Sequence, residues 1–280
     1  MRYEYSTLSA NLSVEIVKCT LSLAAVIGNR RRDGLSSDNA IAAPMTEIVL
    51  YTVPAALYLA KNLMQYSIFL YLDPPSYQIL KNLNIISTGL LYRLFLGKSL
   101  GRLQWSALYL LAVGCAVTQL SNDSDVVFDT PSTGLLMAVI MALLSGAAGV
   151  YTELVMKKRP HRDVNVQNLY LYFFGIMFNL LAMTYHDGPQ SLLHTNFFKG
   201  YNVIVYVMIL NHALSGIAVS MVMKYADNIV KVYATSVAMI LTTAVSIIFF
   251  NFRLSMAFLL GTSVVCVAVF LNQSSKTFER

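Results

Sequence analysis

Apolar residues run along this chain in long stretches separated by short polar segments. A stretch of about 20 apolar residues is what a helix needs to cross the hydrocarbon core of a bilayer. Nine such stretches, spans A to I in chain order, lie at roughly 8–29, 47–70, 76–96, 103–120, 134–156, 167–186, 201–223, 229–250 and 254–272. Together they take about 180 residues and leave about 100 for loops and termini. No soluble domain fits in that remainder. The pattern predicts an all-α polytopic membrane bundle.

Composition agrees. Of 280 residues, 56% are hydrophobic and 12% are charged, against about a quarter charged in soluble domains, and the mean hydropathy is +0.59. Cys19, Cys115 and Cys266 are odd in number and all lie inside apolar runs, which excludes a secreted disulfide scaffold. The net charge of +6 carries no expectation of nucleic acid, because basic residues in a membrane protein first report orientation. Fourteen of the twenty Lys and Arg fall on one side: Arg30, Arg31 and Arg32 after span A, Arg93, Lys98 and Arg102 after C, Lys157, Lys158, Arg159 and Arg162 after E, Lys224 and Lys231 between G and H, and Lys276 and Arg280 after I. The other side has Arg2, Lys199 and Arg253 together with Asp73, Asp123, Asp125, Asp129 and Asp187. The basic side, and with it the C-terminus, is expected to be cytosolic. An odd count of spans then puts Met1 on the opposite face, with no signal peptide to take it there, so a segment upstream is expected.

Three lysines remain, and all lie inside spans: Lys18, Lys61 and Lys81. A charge at membrane depth costs roughly 2.5–3.5 kcal/mol on insertion scales and marks a functional site by default. Lys18 is expected to pair with Glu15, three residues earlier on the same helical face. Lys61 and Lys81 have no acid within one turn. Polar residues recur around them, with Tyr58, Asn62, Gln65 and Tyr66 in span B and Tyr77, Lys81, Asn84 and Thr88 in span C at spacings that share one face. Span F adds Asn168, Tyr170 and Tyr172, and the junction of G and H adds Lys224, Tyr225, Asp227, Asn228, Lys231 and Tyr233. A polar stripe in lipid must face protein or water. Lysines, asparagines and tyrosines together suit an anionic ligand with an aromatic part, such as a nucleotide.

Enzyme chemistry has no such footing. Gly97-Lys98-Ser99 lacks the earlier glycine of a phosphate loop, that position being Tyr92. There is no paired-cysteine metal spacing, zinc-protease motif or nucleophile elbow, and no metal or other cofactor is expected. His212, alone in its span, reads as a packed or hydrogen-bonded residue. Ser145, Gly146 and Gly149 in span E are small residues whose first reading is close helix packing. Asn122-Asp123-Ser124 is a glycosylation sequon, too near the end of span D to be used.

The strings Tyr77-Gln78 through Lys81, Asn84 and Thr88 to Leu103-Gln104-Trp105, then Gly149-Val150-Tyr151-Thr152-Glu153, then Lys224-Tyr225-Ala226-Asp227-Asn228-Ile229-Val230-Lys231 resemble the nucleotide-sugar transporters. The likeness is to their branch of CMP-sialic acid, UDP-galactose and UDP-N-acetylglucosamine carriers, and extends from about Leu8 to Leu271. It implies ten helices in two repeats of opposite topology, both termini cytosolic, a Golgi or ER membrane, and exchange of a cytosolic nucleotide sugar for a lumenal nucleoside monophosphate by alternating access. It makes the helix carrying Glu15 and Lys18 the second, so the chain is expected to lack the first. The first repeat is then 1–125 with four spans and the second 126–280 with five, in a single membrane domain.

Position by position, the resemblance assigns Tyr58 and Asn62 to nucleotide contacts and Tyr77 to an aromatic ring packed on the nucleotide. Ser145, Asn168 and Tyr172 match cavity positions around base and ribose, and Lys231 matches a lysine facing phosphate. Asn84 stands where the sialic acid carriers have a second phosphate-facing lysine; Lys81, one turn earlier, is the candidate to replace it. The choice between CMP- and UDP-sugars stays open, as does a homodimer. The alternative reading, of another class, is a non-transporting truncated isoform or a partner subunit of a membrane complex.

Overall fold

The computed structural model describes residues 5–72, 74–97, 100–118, 131–186, 188, 197–250 and 256–278. The sequon Asn122–Ser124, the residues Arg2, Asp73, Lys98, Asp123, Asp125, Asp129, Asp187, Arg253 and Arg280, and the side chains of Tyr66, Gln78 and Lys276 lie outside the described residues. Every regular element among the described residues is helical, as an all-α membrane bundle requires.

The helices are α1 (Thr7–Asp33), α2 (Met45–Ile48), α3 (Thr52–Ser67), α4 (Pro74–Lys81), α5 (Leu83–Leu96), α6 (Arg102–Val117), α7 (Ser132–Lys157), α8 (Val164–His186), α9 (Val203–Tyr225), α10 (Asn228–Phe250) and α11 (Met256–Phe278). Among the described residues, five are long and apolar enough to cross a membrane: α1, α7, α8, α9 and α11 over Met256–Ser274. Large apolar side chains such as Leu94, Val203 and Phe270 stand more than two-thirds exposed. Such faces are at home in lipid and not in water.

Local chemistry sets the ends. The Ser6 hydroxyl caps α1 by accepting from the Ser9 nitrogen, and Gly34, at a φ of 77°, closes it by donating to the Arg30 carbonyl. Asn202 caps α9 through Val205. Span B is helical but not uniform, since a 3₁₀ turn at Val49–Tyr51 precedes α3. Pro54 brings no N–H to the Leu50 carbonyl, which favours that tighter turn.

Span C departs from the expected single helix. It breaks at Asn82 into α4 and α5, where Asn82 donates to Ile79 and accepts from Ile85 in three-residue rather than four-residue steps. With that break the expected common face is lost: Tyr77 and Thr88 are buried while Lys81 is exposed.

By packing, the chain forms two compact units. The first holds Met1–Tyr66 and Tyr151–Asp227, the second Ser67–Val150 and Asn228–Arg280. In the first, α1 packs along α8 and α9 around Val26, Tyr51, Met156, Tyr172 and Met223. In the second, α6 packs on α11, with α4, α5 and α10 beside α6, around Leu108, Leu111, Val150, Val232 and Val265.

Candidate functional site

In the first unit the expected ion pair is present. Lys18 Nζ lies 2.5 Å from Glu15 Oε1, and both side chains are 13% exposed. The same ammonium stands 4.4 Å from the centroid of the Tyr172 ring, so a negative ring face and a carboxylate share one cation. Two glycines make the room. A Cβ on Gly175 of α8 would come within 2.8 Å of Glu15 Oε2, and one on Gly216 of α9 within 2.9 Å of Lys18 Cδ.

Two expected site residues, Tyr58 and Tyr172, lie near that pair, and Asn62 and Asn168 each lie on the same helix as one of them. Tyr172 and Asn168 are one turn apart on α8 and buried. Asn168 Nδ2 donates to Ser220 Oγ of α9 at 2.8 Å. Tyr58, on α3, accepts from the buried Thr152 hydroxyl of α7 at 3.5 Å. Glu15 is close enough to act electrostatically on both Tyr58 and Tyr172. Asn62, one turn beyond Tyr58, is half-buried and accepts from Lys61 at 3.5 Å, and Lys61 also donates to Gln65. Lys61, with no acid within one turn, is therefore held by amides.

In the second unit Tyr77 is buried with its ring edge-on to Phe69, centroids 4.8 Å apart. Asn84 is half-buried and its Oδ1 accepts from Thr88 at 3.4 Å. Ser145 is half-buried on α7, one residue before Gly146. A Cβ on Gly146 would lie 3.0 Å from Leu91, 3.1 Å from Ser87 Oγ and 3.3 Å from the Thr88 nitrogen, and one on Gly149 would lie 2.6 Å from Asn228 Oδ1. Both glycines are contact points between helices, as their size suggests. Lys231 is half-buried on α10, and has no hydrogen bond or ion pair among the described residues.

Several groups escaped the sequence. Ser220 carries no signal beyond its type, and nothing in the string that contains Thr152 points to Tyr58 as its partner. Lys224 counts as a loop charge by position, yet it is 8% exposed and donates to Gln167 Oε1 at 2.9 Å and to the Arg162 carbonyl. Glu153, fully buried, is paired with Lys157 at 2.8 Å, and Lys157 also donates to the Ala226 carbonyl at the end of α9. His212 is bonded to the Met208 carbonyl of its own helix. Cys19, Cys115 and Cys266 are free.

Known proteins give the arrangement its context. The family model described as nucleotide-sugar transporter matches residues 1–273. The chain is 56% identical over 275 residues to CMP-sialic acid transporter 2 of Oryza sativa subsp. indica, covering 98% of this chain and 77% of that protein. It is 34% identical over 271 residues to the UDP-galactose translocator of Bos taurus, covering 94% and 68% respectively. A crystal structure at 13% identity matches with a TM-score of 0.64 over 95% of this chain and 87% of the other; that likeness concerns the fold alone.

Proposed function

The chain belongs to the nucleotide-sugar transporter family, and on that premise we propose that it carries a CMP- or UDP-linked sugar from the cytosol into the lumen of the Golgi or ER in exchange for the matching nucleoside monophosphate. The family is one of transporters and not of enzymes. The CMP-sialic acid and UDP-galactose carriers it resembles both take pyrimidine nucleotides. In this reading the basic ends of the helices, including the C-terminus, face the cytosol.

The observation that carries the proposal is Lys231. Lys18 has Glu15, Lys157 has Glu153 and Lys224 has Gln167, whereas Lys231 is half-buried with no partner among the described residues. A cation withdrawn from water without a counter-charge is costly, and a ligand phosphate supplies one. Lys231 is thus assigned to phosphate, with Lys81 as the second cation in place of the lysine that Asn84 replaces. Tyr58, Asn62, Asn168 and Tyr172 are assigned to base and ribose, where asparagine amides can read a base edge and tyrosine can stack. Ser145 and Tyr77 complete the set. Sugar and monophosphate forms share base and phosphate, so recognition of those two parts serves both directions of exchange.

Binding of UMP, CMP, uridine and cytidine to the purified protein tests the assignment. Lys231→Ala is expected to lower monophosphate affinity roughly 10- to 100-fold, the worth of a charged hydrogen bond, and to leave nucleoside affinity unchanged. Undiminished monophosphate binding would remove Lys231 from the phosphate role.

A further inference from the structure

At the end of the first unit, away from the Glu15–Lys18 pair, the loop between α1 and α2 meets the turn between α7 and α8 and leaves a cleft of about 380 Å³. Its charged lining is Lys158, Arg159, His161, Arg162, Asp38 and Glu47. Two of these are committed to structure. Arg162, 13% exposed, pairs with Glu47 at 3.3 Å and donates to the Ala40 carbonyl at 2.9 Å. Glu47, 8% exposed, is thereby largely neutralised.

The other three basic groups are not committed in this way. Arg159 is 63% exposed, its Nε lies 3.5 Å from Glu47, and its terminal nitrogens have no hydrogen bond among the described residues. Lys158 and His161 are exposed, and their side chains have no hydrogen bond or ion pair among the described residues. Four donors thus line a concavity: the two terminal nitrogens of Arg159, the Lys158 ammonium and the His161 ring. A planar fork beside a point charge matches the oxygens of a phosphomonoester. The opposing charge is Asp38, exposed and accepting from Ser37 at 3.2 Å.

We infer that this cleft binds the phosphomonoester of an anionic lipid headgroup. Its walls are the loop that follows α1, the start of α2 and the turn that joins α7 to α8, so it sits where three helices long and apolar enough to cross a membrane begin or end. Their ends lie at headgroup level, where basic pockets between helices recruit phosphorylated headgroups. A soluble anion gains nothing from that placement, whereas a lipid is already concentrated there.

The full chain, purified in a neutral detergent, is titrated with soluble short-chain phosphatidylinositol 4-phosphate, and bound lipid is counted by native mass spectrometry. Saturable binding of one molecule is expected, at least tenfold tighter than phosphatidylcholine or unphosphorylated phosphatidylinositol of the same chain length. The variant K158Q/R159Q/H161Q is expected to weaken it at least tenfold, and Asp38→Asn, which removes the opposing charge, to tighten it. Equal binding by the triple variant would overturn the site, and so would equal binding of phosphatidylcholine. Competition by inorganic phosphate or by UMP at the lipid's own concentration would overturn the lipid as occupant. Unchanged melting of both variants shows that the fold is intact when these affinities are read.

Discussion

The Lys18 ammonium of α1 stands 4.4 Å from the centre of the Tyr172 ring of α8 while it is paired with Glu15 one turn back on its own helix. The cation is thus held by two different elements, and its pair is nearly closed to solvent. Removing one partner leaves the other charge unmatched at membrane depth. Glu15→Gln and Lys18→Met are each expected to cost about 3–5 kcal/mol of stability, and the double variant less than either alone. Denaturant unfolding in mixed micelles measures all three; additive losses would show that the two charges act independently.

Helix contacts give a sharper contrast between two glycines. On Gly261 of α11 a Cβ would lie 2.5 Å from the Thr118 nitrogen and 2.7 Å from the Gly114 carbonyl oxygen, backbone atoms that cannot swing aside. Gly261→Ala is expected to destabilise by about 1–3 kcal/mol through overpacking. Gly28, inside α1, has nothing within 4 Å of its Cβ position, so Gly28→Ala is expected to stabilise by up to about 1 kcal/mol. Melting temperatures should move in opposite directions.

Arg162 secures the loop between α1 and α2 through Ala40 and Glu47. Losing a charge-assisted bond of about 1.5–3 kcal/mol raises local opening roughly 10- to 100-fold. Limited proteolysis of Arg162→Ala should therefore cut within 34–44 far faster than the parent protein. Arg159→Ala, whose ion pair is exposed, should differ little from the parent.

The helices were legible because run length alone identifies an apolar span, whatever it packs against. Glu15–Lys18 was legible for a related reason, since both residues lie on one helix at contact spacing. Gly146 and Gly149 could be read as packing residues from size, although Asn228, which fills the space beside Gly149, could not be deduced. What periodicity does not encode is which helices become neighbours. Asn168 and Ser220 are 52 residues apart, and their bond exists only because α8 and α9 pack together. Lys224 looked like a loop charge for the same reason: its partners, Gln167 and the Arg162 carbonyl, belong to the start of α8 and the turn before it. The break at Asn82 was hidden because a change in the step of backbone hydrogen bonds leaves no mark on an otherwise continuous apolar run.

Counter-exchange in liposomes tests the central claim most directly. Vesicles holding the purified chain are preloaded with UMP, with CMP or with buffer, and uptake of labelled UDP-galactose and CMP-sialic acid is followed, beside Lys231→Ala. The account predicts uptake that depends on one internal monophosphate, favours the sugar bearing the same base, and is lost in Lys231→Ala although that variant inserts normally. Uptake indifferent to the internal nucleotide would contradict exchange, and full uptake by Lys231→Ala would contradict the phosphate site.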